Sequence, residues 1–574
     1  MIHQFDTVII GSGLAGLRAA IEASGYGSVA VITKLFPTRS HSTAAQGGIG
    51  AALGNEEPDY PEWHFYDTVK GSDFLGDQDA IEIMCEDAIR TIVELEHLGV
   101  PFSRTAEGKI AQRRFGGHTR DFGKAPVRRA CYSADRTGHA ILSALFEQCK
   151  PLGINFFSEF HVLDIVVEDG KCNGAIALQI ENGEIHTFNA KSTLVASGGY
   201  GKVFKTTSNA FASTGDCLSI LFDAGLPLED MEFFQFHPTG LYSLGILITE
   251  GVRGEGGVLI NGKSERFMER YAPAIKDLAP RDMASRAIMT EIKEGRGIDG
   301  KDYVHLDLTH ISKRILGERF PEITTFCKIY MGIDPSEKPI PVLPTAHYAM
   351  GGIPTDADGR VLNDEKGGII KGLYAAGECA CVSVHGANRL GCNSLLDTVA
   401  FGRRAGIAMA GENKAAERGN ISQNAIDKAS ALIYSTIGRK GDQRIGDVRS
   451  ELQKEMMDLC SVFRNEKGLK ELVSKIEAIE DQAKHITLKD KGKIFNTELL
   501  DAIELGHLIS LSKVIASSAL QRQESRGAHF RDDFPKRDDD EWLKHTFAFK
   551  KEKAIEFKHK PVKITRFQPE ERKY

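Results

Sequence analysis

The chain has 574 residues, with 72 Lys and Arg against 79 Asp and Glu and a formal net charge of −7 at pH 7. A chain of this length divides into about two to four domains, and its mixed, nearly balanced charge excludes a nucleic-acid footprint and argues against a polyanionic substrate. The ten cysteines are scattered, which predicts a reducing compartment rather than a disulfide framework. Their closest pair, Cys379-Ala380-Cys381, lacks iron-sulfur ligand spacing and no C-x-x-C-H occurs, so no metal is expected and further redox centres would sit on another subunit. No apolar run approaches the roughly 20 residues of a membrane helix. The N-terminus, Met1-Ile2-His3-Gln4-Phe5-Asp6, enters a strand without a targeting signal, so the expected location is cytoplasmic.

In chain order, the apolar run Phe5 to Ile10 leads into Gly11-Ser12-Gly13-Leu14-Ala15-Gly16, a helical pattern through Ala23 and a second apolar run from Val29 to Thr33. This is a βαβ opening with a dinucleotide fingerprint. Gly11 permits the tight turn, Gly13 lets backbone approach a pyrophosphate, and Gly16 allows close packing of a helix whose N-terminus is positive. The second strand ends at Thr33-Lys34, without the acidic partner of an NAD ribose, which favours FAD. His41 follows in Thr38-Arg39-Ser40-His41-Ser42-Thr43-Ala44-Ala45-Gln46-Gly47-Gly48. An imidazole there either bonds covalently to a flavin methyl group or is an ordinary solvated loop histidine.

Two later runs, Thr193 to Gly199 and Gly372 to Glu378, read as buried strands ending in glycines, and ligands of open parallel sheets bind beyond such ends. The predicted class is α/β. A Rossmann-like FAD-binding domain over 1–231 and 345–411 is split by an inserted α+β capping domain over 232–344, which lacks the βαβ rhythm and would act as a lid. Helical patterns such as Glu498 to Leu505 and Ile509 to Leu520 predict a helical domain over 412–524. The charged region 525–574, punctuated by Trp542, Phe547 and Phe549, is expected to dock as a tail.

A second set of residues suits carboxylates: His237 in Phe236-His237-Pro238-Thr239-Gly240, Thr249-Glu250-Gly251-Val252-Arg253, Arg281-Asp282, His347 and His385-Gly386-Ala387-Asn388-Arg389-Leu390. Guanidinium binds carboxylate through two parallel, charge-assisted hydrogen bonds. Each member also has a plain reading: Arg281-Asp282 as a surface ion pair, His237 as a satisfied turn residue before proline, Arg389 as a structural bridge.

Arg39-Ser40-His41-Ser42, Ala45-Gln46-Gly47-Gly48, Tyr66 to Asp73, Phe236 to Gly240, Thr249-Glu250-Gly251 and His385 to Gly391 resemble the flavoprotein subunits of succinate dehydrogenase and fumarate reductase, and the likeness runs from Phe5 to Ser525-Arg526-Gly527-Ala528-His529 and the acidic stretch beyond. The resemblance implies FAD attached covalently through His41. Gly11 to Gly16 and the stretch Thr33 to Gly48, with Thr33, Lys34, Ser40, Ser42, Gln46, Gly47 and Gly48, would form its cradle, joined by Asp216, Glu378, Ser394 and Leu395. His237, Thr249, His347 and Arg389 would clamp a dicarboxylate beside Phe115 and Gln46. Arg281 would be the proton-transferring arginine, with Glu250 and Arg253 as its relay toward solvent.

The implied reaction is oxidation of succinate to fumarate. Electrons would pass to an iron-sulfur subunit and, through membrane anchor subunits, to quinone, on the cytoplasmic face of the cell membrane. Fumarate reduction is the alternative direction, and L-aspartate oxidase, which typically lacks a histidine at the position of His41, is a more remote one. A catalytically silent, flavin-binding assembly subunit is a further alternative, against which the intact set Arg281, His237, His347 and Arg389 argues. Gln46 resembles the succinate-oxidising branch, since fumarate reductases often carry glutamate there. Two departures stand out: Cys392, where relatives commonly have glycine, and Lys124 to Tyr132, which lacks the expected small-residue pattern.

Overall fold

The computed structural model describes residues 1–552 and 554–572. The strands Ile369–Ala375, Ser192–Val195, Thr7–Ile10, Val29–Thr33 and Asn155–Ser158 lie side by side and all run parallel within a ten-stranded sheet. Val195 pairs with both Ile10 and Ala375, so the three glycine-ended strands finish abreast. That register, expected of an α/β sheet, creates one crevice beyond their carboxyl ends.

The first turn is possible only because of its glycines. Gly11 has φ +110°, and a Cβ there would lie 2.2 Å from the Ala196 carbonyl oxygen; one on Gly16 would lie 2.0 Å from that of Gly11. The helix Leu14–Ser24 therefore starts flush against the sheet. Its outer face is covered by the helix Asn393–Glu412, where Gly402 and Gly406 meet the backbone of Ala15 and Ala19.

Residues 234–349 build a separate four-stranded antiparallel sheet in the order Phe234–Leu241, Ile340–Ala349, Val304–Asp307, Val258–Ile260. Its two longest strands are the way in and the way out of this body. The helix Arg281–Lys293 lies against it, tied by a hydrogen bond from Ser285 Oγ to the Phe236 carbonyl at 3.0 Å. The two separate helical patterns near 500 form one continuous helix, Thr497–Gln521, capped by the side chain of Asn496.

The C-terminal region docks. Its strands Lys544–Lys551 and Ala554–Pro561 form a hairpin, and the first of them pairs with Leu228–Glu229. Near its end Arg572 reaches Asp282 at 2.7 Å and Asp73 at 3.0 Å, joining the helix that begins at Arg281 to the loop after the helix Pro61–Gly71. No helix among the described residues is long and apolar enough to cross a membrane.

Candidate functional site: a dinucleotide crevice with a carboxylate-binding end

A cavity of about 1720 Å³, open at its mouth, runs along the ends of the parallel strands to the four-stranded sheet. The residues that the resemblance names individually for cofactor, substrate or proton all line it except Gly16 and Arg253; His385 of the carboxylate-suited set does not. Gly16 packs behind the turn, and Arg253 stands behind Glu250, its Nη2 3.8 Å from Glu250 Oε2.

His41 opens a short 3-10 helix, His41–Ala44, so it is not a solvated loop residue. Its Nδ1 accepts a hydrogen bond from the Ala210 backbone N–H at 3.2 Å, and Asn209 Nδ2 lies 3.4 Å from Nε2. Burial, with Lys202 nearby, brings its pKa down to about 4, so the ring is neutral and nucleophilic at physiological pH. The same region shows why Lys34 stands where a ribose acid is commonly found. Its Nζ donates to Thr214 Oγ1, Asp216 Oδ2 and Glu504 Oε1 at 2.7–2.9 Å, pinning the strand end to the helices Asp216–Asp223 and Thr497–Gln521.

At the inner end the arginines and histidines converge. Arg281 is no surface pair with Asp282: only 7% exposed, it donates from Nε to Glu250 Oε2 at 2.9 Å and from Nη1 to Gln235 Oε1 at 3.0 Å. Burial alone would raise the Glu250 pKa, but Arg253 and Arg281 outweigh it and hold the carboxylate below its ordinary value. His237 is not a satisfied turn residue. It sits in a strand, its Nδ1 accepts from the Thr239 N–H at 3.2 Å, and its buried Nε2 has no partner. A neutral ring with Nδ1 as acceptor carries its proton on Nε2, so an unmet donor faces this end.

His347 lies beside it, ring centroids 5.1 Å apart, with its Nδ1 against Ser208 Oγ at 2.8 Å. Burial and the neighbouring guanidiniums keep both histidines well below their ordinary pKa. Arg389 is partly a bridge, since Nη1 donates to Ser394 Oγ at 2.9 Å. Its Nε is buried without a partner, and burial beside Arg281 brings its pKa down to about 9. Thr249 and Phe115 complete this end. Its formal charge is two guanidiniums against one carboxylate, which suits a small dianion.

Several contributors escaped the sequence. Gln235 bonds Arg281 and also donates to the Arg389 carbonyl at 2.8 Å; its position two residues before His237 on one strand was the available signal. Arg113 donates to the Gln46 and Gly47 carbonyls at 3.1 and 2.9 Å and so shapes that loop. His385 turns away, to Asp397 and Tyr348.

Cys392 has φ +69°, the left-handed conformation that favours glycine, and its buried side chain packs with Phe115 and Ala130. Lys124 to Tyr132 contains the strand Ala125–Cys131, whose Arg129 is fully buried and grips Asp59 and Asp67, each at 2.7 Å.

The crevice fits FAD on its own evidence. Gly11 and Gly13 line it with backbone, a Cβ on Gly13 would project toward Ser42 Oγ and Ser40 Oγ, and the buried oxygens Ser40 Oγ, Ser197 Oγ and Gln46 Oε1 line it without partners. Comparison with known proteins agrees. The FAD binding domain family matches residues 6–395 and the fumarate reductase flavoprotein C-terminal family matches 449–574. The succinate dehydrogenase flavoprotein subunit of Rickettsia conorii is 50% identical over 571 residues, covering 98% of this chain and 96% of that protein. The fumarate reductase flavoprotein subunit of Haemophilus influenzae is 40% identical, covering 99% and 96%. A variant FrdA chain of E. coli quinol fumarate reductase superposes with a TM-score of 0.93 at 37% identity, covering 100% and 99%. The chain belongs to the family of flavoprotein subunits of succinate dehydrogenase and fumarate reductase, and its cofactor is FAD.

Proposed function

We propose that this chain oxidises succinate to fumarate with FAD bound covalently through His41, and that it works in a membrane-associated complex with an iron-sulfur subunit and membrane anchors on the cytoplasmic face. The observation that carries the reading is the inner end of the crevice, where Arg281, Arg389, His237, His347 and Thr249 converge beside a buried carboxylate, Glu250. Bound FAD supplies a two-electron acceptor for hydride.

The rest is done by the protein. Arg389 and the Nε2–H of His237 take the substrate carboxylates, with His347 and Thr249 closing the clamp. Holding both carboxylates fixes which C–H faces the cofactor and which faces Arg281, and such orientation supplies much of the rate. Phe115 closes the wall against water. Arg281 accepts the other hydrogen as a proton. Its ordinary pKa, above about 12, leaves almost no neutral arginine to act as a base, so the Nε–H···Oε2 bond to Glu250 is the working element. Glu250 takes a proton as Arg281 gains one, and Arg253 carries it on, next to the Asp277 carbonyl to which its Nη1 donates. Neutral arginine never accumulates.

The direction is argued from Gln46, a neutral amide buried in the crevice. A carboxylate in its place would disfavour the reduced, more negative cofactor; the amide does not. Arg281→Lys tests the proton role with the holoenzyme and an artificial electron acceptor. Turnover should fall by about a thousandfold, a barrier increase of roughly 4 kcal/mol, with succinate binding retained; near-normal turnover would defeat the assignment. Flavin that stays with acid-precipitated protein, and leaves it in His41→Ala, supports the attachment site.

A further inference from the structure

A second cavity, about 1460 Å³ with its open mouth, abuts the inner end of the crevice and shares with it Phe115, Glu250, Arg281 and Arg389. Its outer walls are the hairpin of Gln112–Arg120 and Ala125–Cys131, the segment from Ala274 to Arg281, and Asn388 to Gly391. FAD held on the Gly11 to Gly16 turn would fill the first cavity toward Asp216, so a small dianion would have to reach the clamp from elsewhere, and the second cavity meets that end from the far side.

The lining has the right sign. Lys70 and Lys124 stand along it, with Lys70 Nζ 3.7 Å from the point a Gly123 Cβ would occupy, and the two guanidiniums form its floor. The one carboxylate in the outer wall, Asp67, is bonded to Arg129 and Thr119. Lys124 is exposed beside the hairpin turn, where Asp121 and Glu570, the latter accepting from the Tyr66 hydroxyl at 2.8 Å, are the nearby acids.

We propose that this second cavity is the route by which the dicarboxylate enters and leaves, and that Lys124 at its mouth draws the dianion in. The proposal rests on the dicarboxylate reading above and concerns the approach to the clamp, not the chemistry. Charges at the mouth of a low-dielectric cleft raise association rates, within a range set by the Debye length of about 10 Å at 0.1 M salt.

The test is charge exchange at one position of the holoenzyme. All ten native cysteines are buried, so Lys124→Cys presents the accessible thiol. Methanethiosulfonates of similar size, carrying either a sulfonate or a trimethylammonium group, form a mixed disulfide with it and release methanesulfinate. The readout is the association rate of malonate, an unoxidisable dicarboxylate, followed by perturbation of the flavin spectrum at low ionic strength. The sulfonate adduct should associate about five- to tenfold more slowly than the trimethylammonium adduct, the gap should close with added salt, and saturating malonate should slow labelling of the thiol. Equal association rates for the two adducts would overturn the route. Failure of the unmodified enzyme to bind malonate would instead overturn the dicarboxylate reading, and the route with it.

Discussion

Removing the Arg129 guanidinium should couple stability to pH in a way the parent protein does not show. Arg129 donates Nε and Nη2 to Asp59 at 2.9 and 2.7 Å, Nη1 to Asp67 at 2.7 Å and Nη2 to the Thr119 carbonyl at 2.9 Å, all within a dry interior. Arg129→Met keeps the length and strands two buried carboxylates. Breaking such a pair costs about 3–5 kcal/mol, which for an unfolding unit of two to three hundred residues is a fall of roughly 6–10 °C in apparent Tm.

The pH dependence follows from Asp67. Burial raises its carboxyl to about 6 from 3.8 even though Arg129 and Thr119 oppose the rise. Because the folded state binds the proton more tightly than the unfolded one, stability falls as pH rises from 3.8 through the folded-state value and is level above it. In the parent that decline ends near pH 6. Without Arg129 the folded value moves higher, so the variant keeps losing about 1.4 kcal/mol per pH unit above pH 6 while the parent does not. Thermal unfolding at pH 6 and pH 8 reads this directly: the gap between the proteins should widen by up to about 2.7 kcal/mol. A gap that is constant or narrower at pH 8 would refute the argument. Because Asp67 also accepts from the Thr119 N–H at 2.6 Å, the hairpin carrying Phe115 should loosen, raising KM for succinate.

Two further outcomes are expected. Gln46→Glu should lower the flavin midpoint potential and slow any fumarate formation relative to the reverse reaction, read by spectroelectrochemistry and by rates in both directions; unchanged values would remove Gln46 from the argument on direction. Arg572→Ala, which removes the bridge between Asp282 and Asp73 while leaving Asp282 with Arg286 and Asp73 with Arg537, should raise KM for succinate about three- to tenfold, a loss of roughly 0.7–1.4 kcal/mol, while flavin content stays full; an unchanged KM would mean that the tail does not hold that helix in place.

The fingerprint was legible because glycine is required for steric reasons local to the turn: Gly11 and Gly16 each face a carbonyl oxygen that any Cβ would strike. The clamp was legible as a set of residue types but not as an arrangement. Adjacent Arg281 and Asp282 invite pairing, yet neighbours at the start of a helix project about 100° apart. Arg281 turns to the crevice and Asp282 to Arg572. Gln235, Arg113 and Ala210 were hidden for another reason. Arg113 and Ala210 act on or through backbone groups, which sequence spacing does not reveal, and Gln235 was marked only by its place two residues before His237. Cys392 was visible as an oddity; its left-handed backbone shows why glycine is favoured there, and nothing in the structure explains the cysteine.

The two long strands Phe234–Leu241 and Ile340–Ala349 are the stalks of the four-stranded body, and they also carry Gln235, His237 and His347. If that body acts as a lid over a bound dicarboxylate, the proposed grip on substrate is built into its joints. A rotation of that body that opens the crevice must also spread the two histidines relative to Arg389, which stays with the parallel sheet. Lid angle and ligand affinity then become one coordinate rather than two. Such a lid is not an interchangeable module: grafting the 234–349 segment of a relative onto this chain would carry the relative's choice of ligand with it and leave dinucleotide binding where it was.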